Sequence, residues 1–144
     1  MFRKLIATVP TWYTLPVRLT LGIIFIAHGA QKVFGMWDGP GLKAITGMPA
    51  PLGLHPSWFW MGAASFSELI GGALVLLGLL TRVGAFFIGI VMIVAIAGVH
   101  WGNFFANNKG FEYPLALLGM ALALVIAGGG QASLDMGLMK SRRR

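Results

Sequence analysis

The sequence predicts an all-α fold: a polytopic membrane four-helix bundle with a long outer loop between its first two spans. Three observations lead there. Hydrophobic residues fill 57% of the 144 positions and charged residues only 10%, and mean hydropathy is +0.80, whereas an average soluble domain is roughly 25% charged. Four apolar runs, Leu15–Phe34, Trp58–Leu80, Val83–Trp101 and Tyr113–Ala127, approach or reach the ~20 residues that cross a hydrocarbon core of ~30 Å. None of the four shows the alternation of a barrel strand, and in lipid a continuous apolar run satisfies its own backbone only as a helix. The whole chain, residues 1–144, therefore reads as one membrane domain with no room for a second, soluble one.

The opening stretch Met1–Thr14 is too short and too broken by Pro10 to cross. Its Phe2, Leu5, Trp12 and Tyr13 suit an interfacial anchor. The first span follows. Its rival reading, a cleavable leader with Leu19–Ala27 as the apolar region and cleavage after Ala30, places His28 where a small residue is wanted.

Between the first and second spans lies Gly35–Ser57, a long connection for so small a protein. Its Gly-Pro punctuation isolates Leu42–Thr46, which predicts a lid with about one turn of helix. Trp37 and Trp58 are placed at the interface. The second and third spans join through a tight turn around Leu80-Thr81-Arg82. The fourth span is slightly short and is expected to extend at either end. Small residues four apart, at Ser67/Gly71, Ala85/Gly89 and Gly119/Ala123/Ala127, permit close helix contact and are expected to serve packing within the bundle.

Lys and Arg placement sets the orientation. With four spans the termini share a side, which carries Arg3, Lys4, Arg18, Arg82, Lys140, Arg142, Arg143 and Arg144, against Lys32, Lys43 and Lys109 on the other. The positive-inside rule then predicts both termini in the cytoplasm of a bacterial inner membrane. The Ser-Arg-Arg-Arg tail reads as a topology signal and an anchor to anionic membrane lipids, so no nucleic-acid partner is expected. Arg18 and Arg82 flank the spans and are expected to snorkel. For Arg18 an inward course is the alternative, since Arg18, Phe25 and Lys32 recur every seven residues.

Glu68 is the only formal charge between Trp58 and Leu80. A carboxylate at membrane depth costs roughly 2.5–3.5 kcal/mol on insertion scales unless it is paired, protonated or facing water. By residue count Glu68 lies about 15 Å from the outer face and His28 about 9 Å. Gln31 and Lys32 follow His28 at three and four residues, on the same helical side. Ser65 lies one turn outward of Glu68. His100 closes the third span at that face, and Glu112 opens the fourth. The expectation is that His28, Lys32, Glu68, His100 and Glu112 converge in one pocket in the outer half.

Such a set has a structural use, Glu68 pairing with Lys32 or His28 to lock the helices. It also has a chemical one. A quinone needs an apolar slot with a hydrogen-bond donor and acceptor at its carbonyls, and a His and a carboxylate able to pass protons when electrons move. Glu68 and His28 are the candidate catalytic pair, walled by Phe25, Phe66 and Trp60. Lys32, Gln31, His100, Glu112 and Ser65 are the candidate ligand-binding residues. Metal ligation by His28, His100, Glu68 and Glu112 lacks any known ligand spacing, and a haem between His28 and His100 needs equal depths that the spans do not favour, so no metal is assigned. With no cysteine in the chain there is no dithiol chemistry and no cysteine-held cluster.

The ordered set Arg18-Leu19, Phe25-Ile26-Ala27-His28-Gly29-Ala30-Gln31-Lys32-Val33-Phe34-Gly35, Glu68-Leu69-Ile70-Gly71-Gly72, Leu77-Gly78-Leu79-Leu80-Thr81-Arg82, Val99-His100-Trp101, Glu112-Tyr113-Pro114 and Ser133-Leu134-Asp135 resembles the DoxX family of small bacterial membrane proteins. The matching motif positions are Arg18, His28, Lys32, Glu68, Arg82, His100, Glu112 and Asp135. The resemblance implies the four-span fold and a place near membrane redox chemistry, because the wider group includes a membrane subunit of thiosulfate:quinone oxidoreductase. Two functions follow as expectations: a quinone-interacting redox subunit with a periplasmic redox partner, or a non-catalytic accessory subunit of a larger respiratory or electron-transfer complex.

Overall fold

The computed structural model describes residues 2–141, with side chains from residue 4 onward. Its helices are α1 (Phe2–Leu5), α2 (Thr14–Phe34), α3 (Gly41–Thr46), α4 (Ser57–Leu77), α5 (Thr81–Gly98), α6 (Glu112–Ala127) and α7 (Leu134–Ser141), with 3-10 turns at Pro51–Gly53 and Ala106–Asn108. Among the described residues there is no strand. Three helices, α2, α4 and α5, are long and apolar enough to cross a membrane. At 1.5 Å per residue the two of 21 residues reach about 31 Å. The 16 residues of α6 reach about 24 Å.

Helix α2 packs on α4, α4 on α5 and α5 on α6, with a lighter contact from α6 back to α2. Leu21, Phe25, Val75, Ala85, Ile88, Met92, Leu117, Ala121 and Leu124 fill the centre. The α2–α4 contact is closest because glycines lie where the backbones meet. A Cβ on Gly29 would stand 2.5 Å from the Leu69 nitrogen, and one on Gly72 2.8 Å from the Ile26 nitrogen, so only a residue without a side chain fits at either place. Ser67/Gly71 and Ala85/Gly89 face inward as expected. Gly119 and Ala123 do not. Both are exposed, and nothing lies within 4 Å of where a Gly119 Cβ would stand. Of that expected packing stripe only Ala127 is buried, because Leu117, Ala121 and Leu124 turn the opposite face of α6 to the core.

Helix ends differ from the expected spans by a few residues, with local causes. Helix α4 stops at Leu77, three residues early, where Gly78 takes a left-handed conformation (φ 69). The Leu79 amide then donates to the Leu74 carbonyl at 3.0 Å and the Gly78 amide to Val75 at 3.2 Å, a Schellman closure. Helix α5 begins at Thr81 because Asp135 of α7 caps it from a distance. The carboxylate accepts from the Leu80 amide (2.8 Å), the Thr81 amide (2.9 Å) and the Thr81 hydroxyl (2.8 Å). Helix α7 was not foreseen. Its signal in the sequence is Ser133, whose hydroxyl accepts from the Met136 amide at 3.1 Å as an N-cap does.

The connection after α2 is not a plain loop. It carries α3, close to the expected turn at Leu42–Thr46, and its Gly39 backbone lies against Gln31 of α2. Helix α3 rests on α2 and α4, and the turn at Pro51–Gly53 rests on the end of α5. This is the loop end of the molecule.

At the opposite, terminal end Arg18 takes the inward course and its expected snorkelling is overturned, while Arg82 stays half-exposed at the rim. Arg18 is 2% exposed and donates to the carbonyls of Val75 (2.9 Å), Leu76 (2.7 Å), Gly129 (2.9 Å) and Ala132 (2.6 Å). Arg82 donates to Ala7 and Ile126, both at 2.8 Å. The cause is that helix C-termini leave carbonyls without partners, and a guanidinium carries five donors to meet them. The chain before α2 joins the same end: Ile6 is 1% exposed and the Val9 amide donates to Ala127 at 3.0 Å. Leu5, Trp12 and Tyr13 are exposed there, as an anchor requires. The side chain of Phe2 and the tail Arg142–Arg144 lie outside the described residues.

Candidate functional site

The site begins with a heptad. Arg18, Phe25 and Lys32 occupy one stripe of α2 that faces α4, and the last of them meets Glu68. Lys32 Nζ lies 2.6 Å from Glu68 Oε1, with the lysine side chain 30% exposed and the glutamate 3%. The other carboxylate oxygen, Oε2, is buried and has no hydrogen-bond partner among the described residues. An orphaned acceptor in a buried carboxylate is costly, because only one of the group's two oxygens is met.

Glu68 and Lys32 form part of the wall of a cavity of about 390 Å³ between α4 and α5, a size within the range of small-molecule pockets, roughly 300–1,000 Å³. The rest of the wall is almost wholly apolar: Trp60, Met61, Ala63 and Ala64 from α4, Phe87, Ile90, Val91, Val94 and Ala95 from α5, then Val99, with Pro51 and Leu54 toward the loop end. Apart from the ion pair, the polar groups on the wall among the described residues are the Ser67 hydroxyl and the Trp60 indole N–H, which donates to the His55 carbonyl at 3.2 Å. Such a chamber holds an apolar body and offers one ammonium and one carboxylate as orienting groups.

The other expected members are elsewhere. His28 is exposed, and its Nδ1 lies 3.1 Å from the Ile24 carbonyl of its own helix. Adjacent helical residues point about 100° apart; Gly29 abuts Leu69 of α4, so its neighbour His28 is carried off that face. His100 lies beyond the end of α5, with Nδ1 2.7 Å from the Lys109 carbonyl. Glu112 accepts from the Ala106 amide at 2.6 Å and so braces the turn between α5 and α6. Ser65 is fully buried and donates to the Met61 carbonyl at 2.8 Å; Ser67, two positions on and so on the opposite side of α4, is the serine that reaches the cavity. Gln31 lies under the Gly39 backbone. The expected single pocket is thus reduced to Lys32 and Glu68.

The aromatic wall also changes. Phe25 is 1% exposed in the core, Phe66 lies in a neighbouring groove, and only Trp60 stays, joined by Phe87, which the sequence reading did not single out. Among the described residues no three His, Asp or Glu side chains gather as a metal site.

Apolar helices long enough to cross a bilayer, a carboxylate–ammonium pair buried among them and a chamber opening beside that pair define a polytopic helical membrane protein with an internal ligand-sized site. Comparison with known proteins narrows this. The DoxX family profile matches residues 13–101, and the chain belongs to that family. A Bacillus subtilis protein named "Putative oxidoreductase CatD" is 35% identical over 111 residues, covering 77% of each chain. A Mycobacterium tuberculosis protein described as an uncharacterized membrane protein is 31% identical over 137 residues, 86% of this chain and 80% of the relative. An uncharacterized Haemophilus influenzae protein is 31% identical over 124 residues, 84% and 80% of the two chains. No solved structure matches. The profile covers the cavity and the ion pair but ends before Glu112 and Asp135.

Proposed function

We propose that this protein is a quinone-interacting membrane subunit of an electron-transfer system, built as a four-span bundle with α6 as the fourth span, and that the α4–α5 cavity is its quinone site. The observation that carries the reading is the orphaned Oε2 of Glu68, buried in the wall of an otherwise apolar chamber beside the Lys32 ammonium. The relative named "Putative oxidoreductase CatD" supports the same direction. Lys32 places a cation where negative charge develops on a quinone carbonyl during reduction. Reduction to the quinol takes two electrons and two protons: Glu68 passes one proton to that oxygen and is reprotonated from solvent, and the second proton reaches the other carbonyl oxygen from water. The two electrons come from a periplasmic redox partner. His28, turned away from the cavity, has no part in this reading.

The orientation belongs to the same proposal: both termini in the cytoplasm of a bacterial inner membrane, with the loop end outside. Setting aside Lys32 and Arg18, which are tied into the helix contacts, seven basic residues remain on the terminal side and two on the loop side.

One observation favours a second reading, the accessory subunit of a larger complex. Lys32 and Glu68 already meet at 2.6 Å, and such a pair locks α2 to α4 without any ligand. The charge-removing substitution Glu68→Gln separates the two. At a quinone site it keeps shape and removes the exchangeable acid, so quinone reduction by native membranes falls while protein abundance holds. Intact reduction with a normally abundant Glu68→Gln protein leaves the accessory role.

A further inference from the structure

A second groove of about 230 Å³ continues from the cavity along the α4–α5 cleft toward the terminal end. It is lined by Phe66, Ser67, Ile70, Leu74, Val83 and Phe87, with Gly71 and Gly84 in its floor. Ser67 and Phe87 belong to both walls, so the groove and the cavity share a boundary. The glycines let the two helix backbones meet at its floor: a Cβ on Gly84 would lie 2.9 Å from the Gly71 carbonyl oxygen. The flanking Phe66 and Ile70 are 43% and 55% exposed, which leaves the trough open to the side. At the other end of the cavity, Pro51 and Leu54 of the α2–α4 connection line its wall toward the loops.

We infer that the α4–α5 groove is the tail track of the Glu68 cavity: the ligand is a quinone with a long hydrocarbon tail, which enters sideways from the bilayer and lies with its head at Glu68 and its tail past Leu74 and Val83. This rests on the quinone reading and adds the ligand's second half. The occupant follows from continuity, since whatever fills the trough meets a head already seated at Ser67 and Phe87. A phospholipid does not satisfy the arrangement, because its charged head belongs at the interface and not on an apolar wall about 15 Å deep.

The test uses two probes, 2,3-dimethoxy-5-methyl-1,4-benzoquinone and the same head with a decyl tail, titrated against the purified full chain in nanodiscs. Leu74→Phe and Val83→Phe fill the track without touching the head cavity, and Ile93→Phe on the exposed face of α5 is the control. The ratio of variant to wild type cancels partitioning of the tailed probe into lipid. Expected is a loss of about tenfold in affinity for the decyl probe in at least one track variant, the worth of roughly two buried methylenes. Affinity for the tailless probe stays unchanged, which also reports that the variant is folded, and Ile93→Phe changes neither. Wild-type binding of both probes with no selective loss in either track variant overturns the tail track and leaves the head site standing. Failure of the wild type to bind either probe overturns both.

Discussion

Glu68 and Lys32 show how a residue can be legible by type and still need its neighbour to be understood. The carboxylate is bound at one oxygen and bare at the other, so the two members of the pair are not equivalent under mutation. Removing Lys32 as Lys32→Met leaves a buried carboxylate with no partner at all, a change that costs on the order of 3–5 kcal/mol. Glu68→Gln keeps an oxygen for the ammonium and costs less. In detergent, Lys32→Met is therefore expected to melt well below Glu68→Gln, and the double variant Lys32→Met with Glu68→Gln to recover part of that loss. Melting of both single variants at the wild-type temperature removes the pair from the stability of the fold. Arg18 is a stronger case. Arg18→Ala takes a donor from four carbonyls; Val75 keeps the Gly78 amide and Gly129 the Thr14 hydroxyl, so Leu76 and Ala132 are left short, each buried unmet acceptor costing roughly 1–3 kcal/mol. The expected result is loss of a folded, monodisperse protein in detergent, only partly rescued by Arg18→Lys, whose single ammonium reaches fewer of them.

At the scale of elements, the same small residue does opposite things on two helices. Gly29 of α2 touches the Leu69 backbone, whereas Gly119 of α6 faces open space. Gly29→Ala is expected to force α2 and α4 apart and to destabilise by about 1–3 kcal/mol, the usual penalty of overpacking. Gly119→Ala is expected to be neutral or to stabilise by up to about 1 kcal/mol through helix propensity. Thermal melts of the two purified variants check the contrast, and a loss in Gly119→Ala as large as that in Gly29→Ala contradicts the packing described for α6. Asp135 is the other lesson at this scale. An acid in the first turn of α7 caps α5, an element 54 residues away in sequence, so the two helices are expected to fray together when Asp135→Ala is made. Faster hydrogen exchange at Leu80 and Thr81 is the readout.

For the whole molecule, charge and fold combine into an orientation. Lys43 and Lys109 are exposed at the loop end and Lys140 at the terminal end. Single cysteines at these positions, in a chain with none of its own, report sidedness directly. In intact spheroplasts a membrane-impermeant maleimide is expected to label the cysteines at 43 and 109 and to spare the one at 140. The reverse pattern means the termini face outward and places the Glu68 cavity nearer the cytoplasmic face. The two ends also differ in how they are held. The terminal end is tied by Arg18, Arg82, Asp135 and the chain before α2, while the loop end holds the cavity under Pro51 and Leu54. Access along the α4–α5 cleft fits that asymmetry.

The sequence by itself determined the all-α class, the positions of the long helices to within a few residues, the family, and Glu68 as the group to explain. These follow from apolar run length and from one charge in the wrong medium, both of which are local properties of the chain. It offered Lys32 and His28 alike as partners for Glu68, and the structure chose Lys32, at 2.6 Å. What only the tertiary structure decided is which polar residues share a surface. Depth along a span is countable, but rotation about the helix axis is not until the neighbours are known, and one residue of rotation, about 100°, is enough to place Gly29 against α4 and His28 outside. The same reason separates Ser67, on the cavity wall, from Ser65, spent on its own helix. Arg18 and Asp135 were visible as charges. That one gathers carbonyls from α4 and the Gly-rich turn after α6, and the other caps α5, depends on where chain ends meet in space, and no local property of the sequence encodes that.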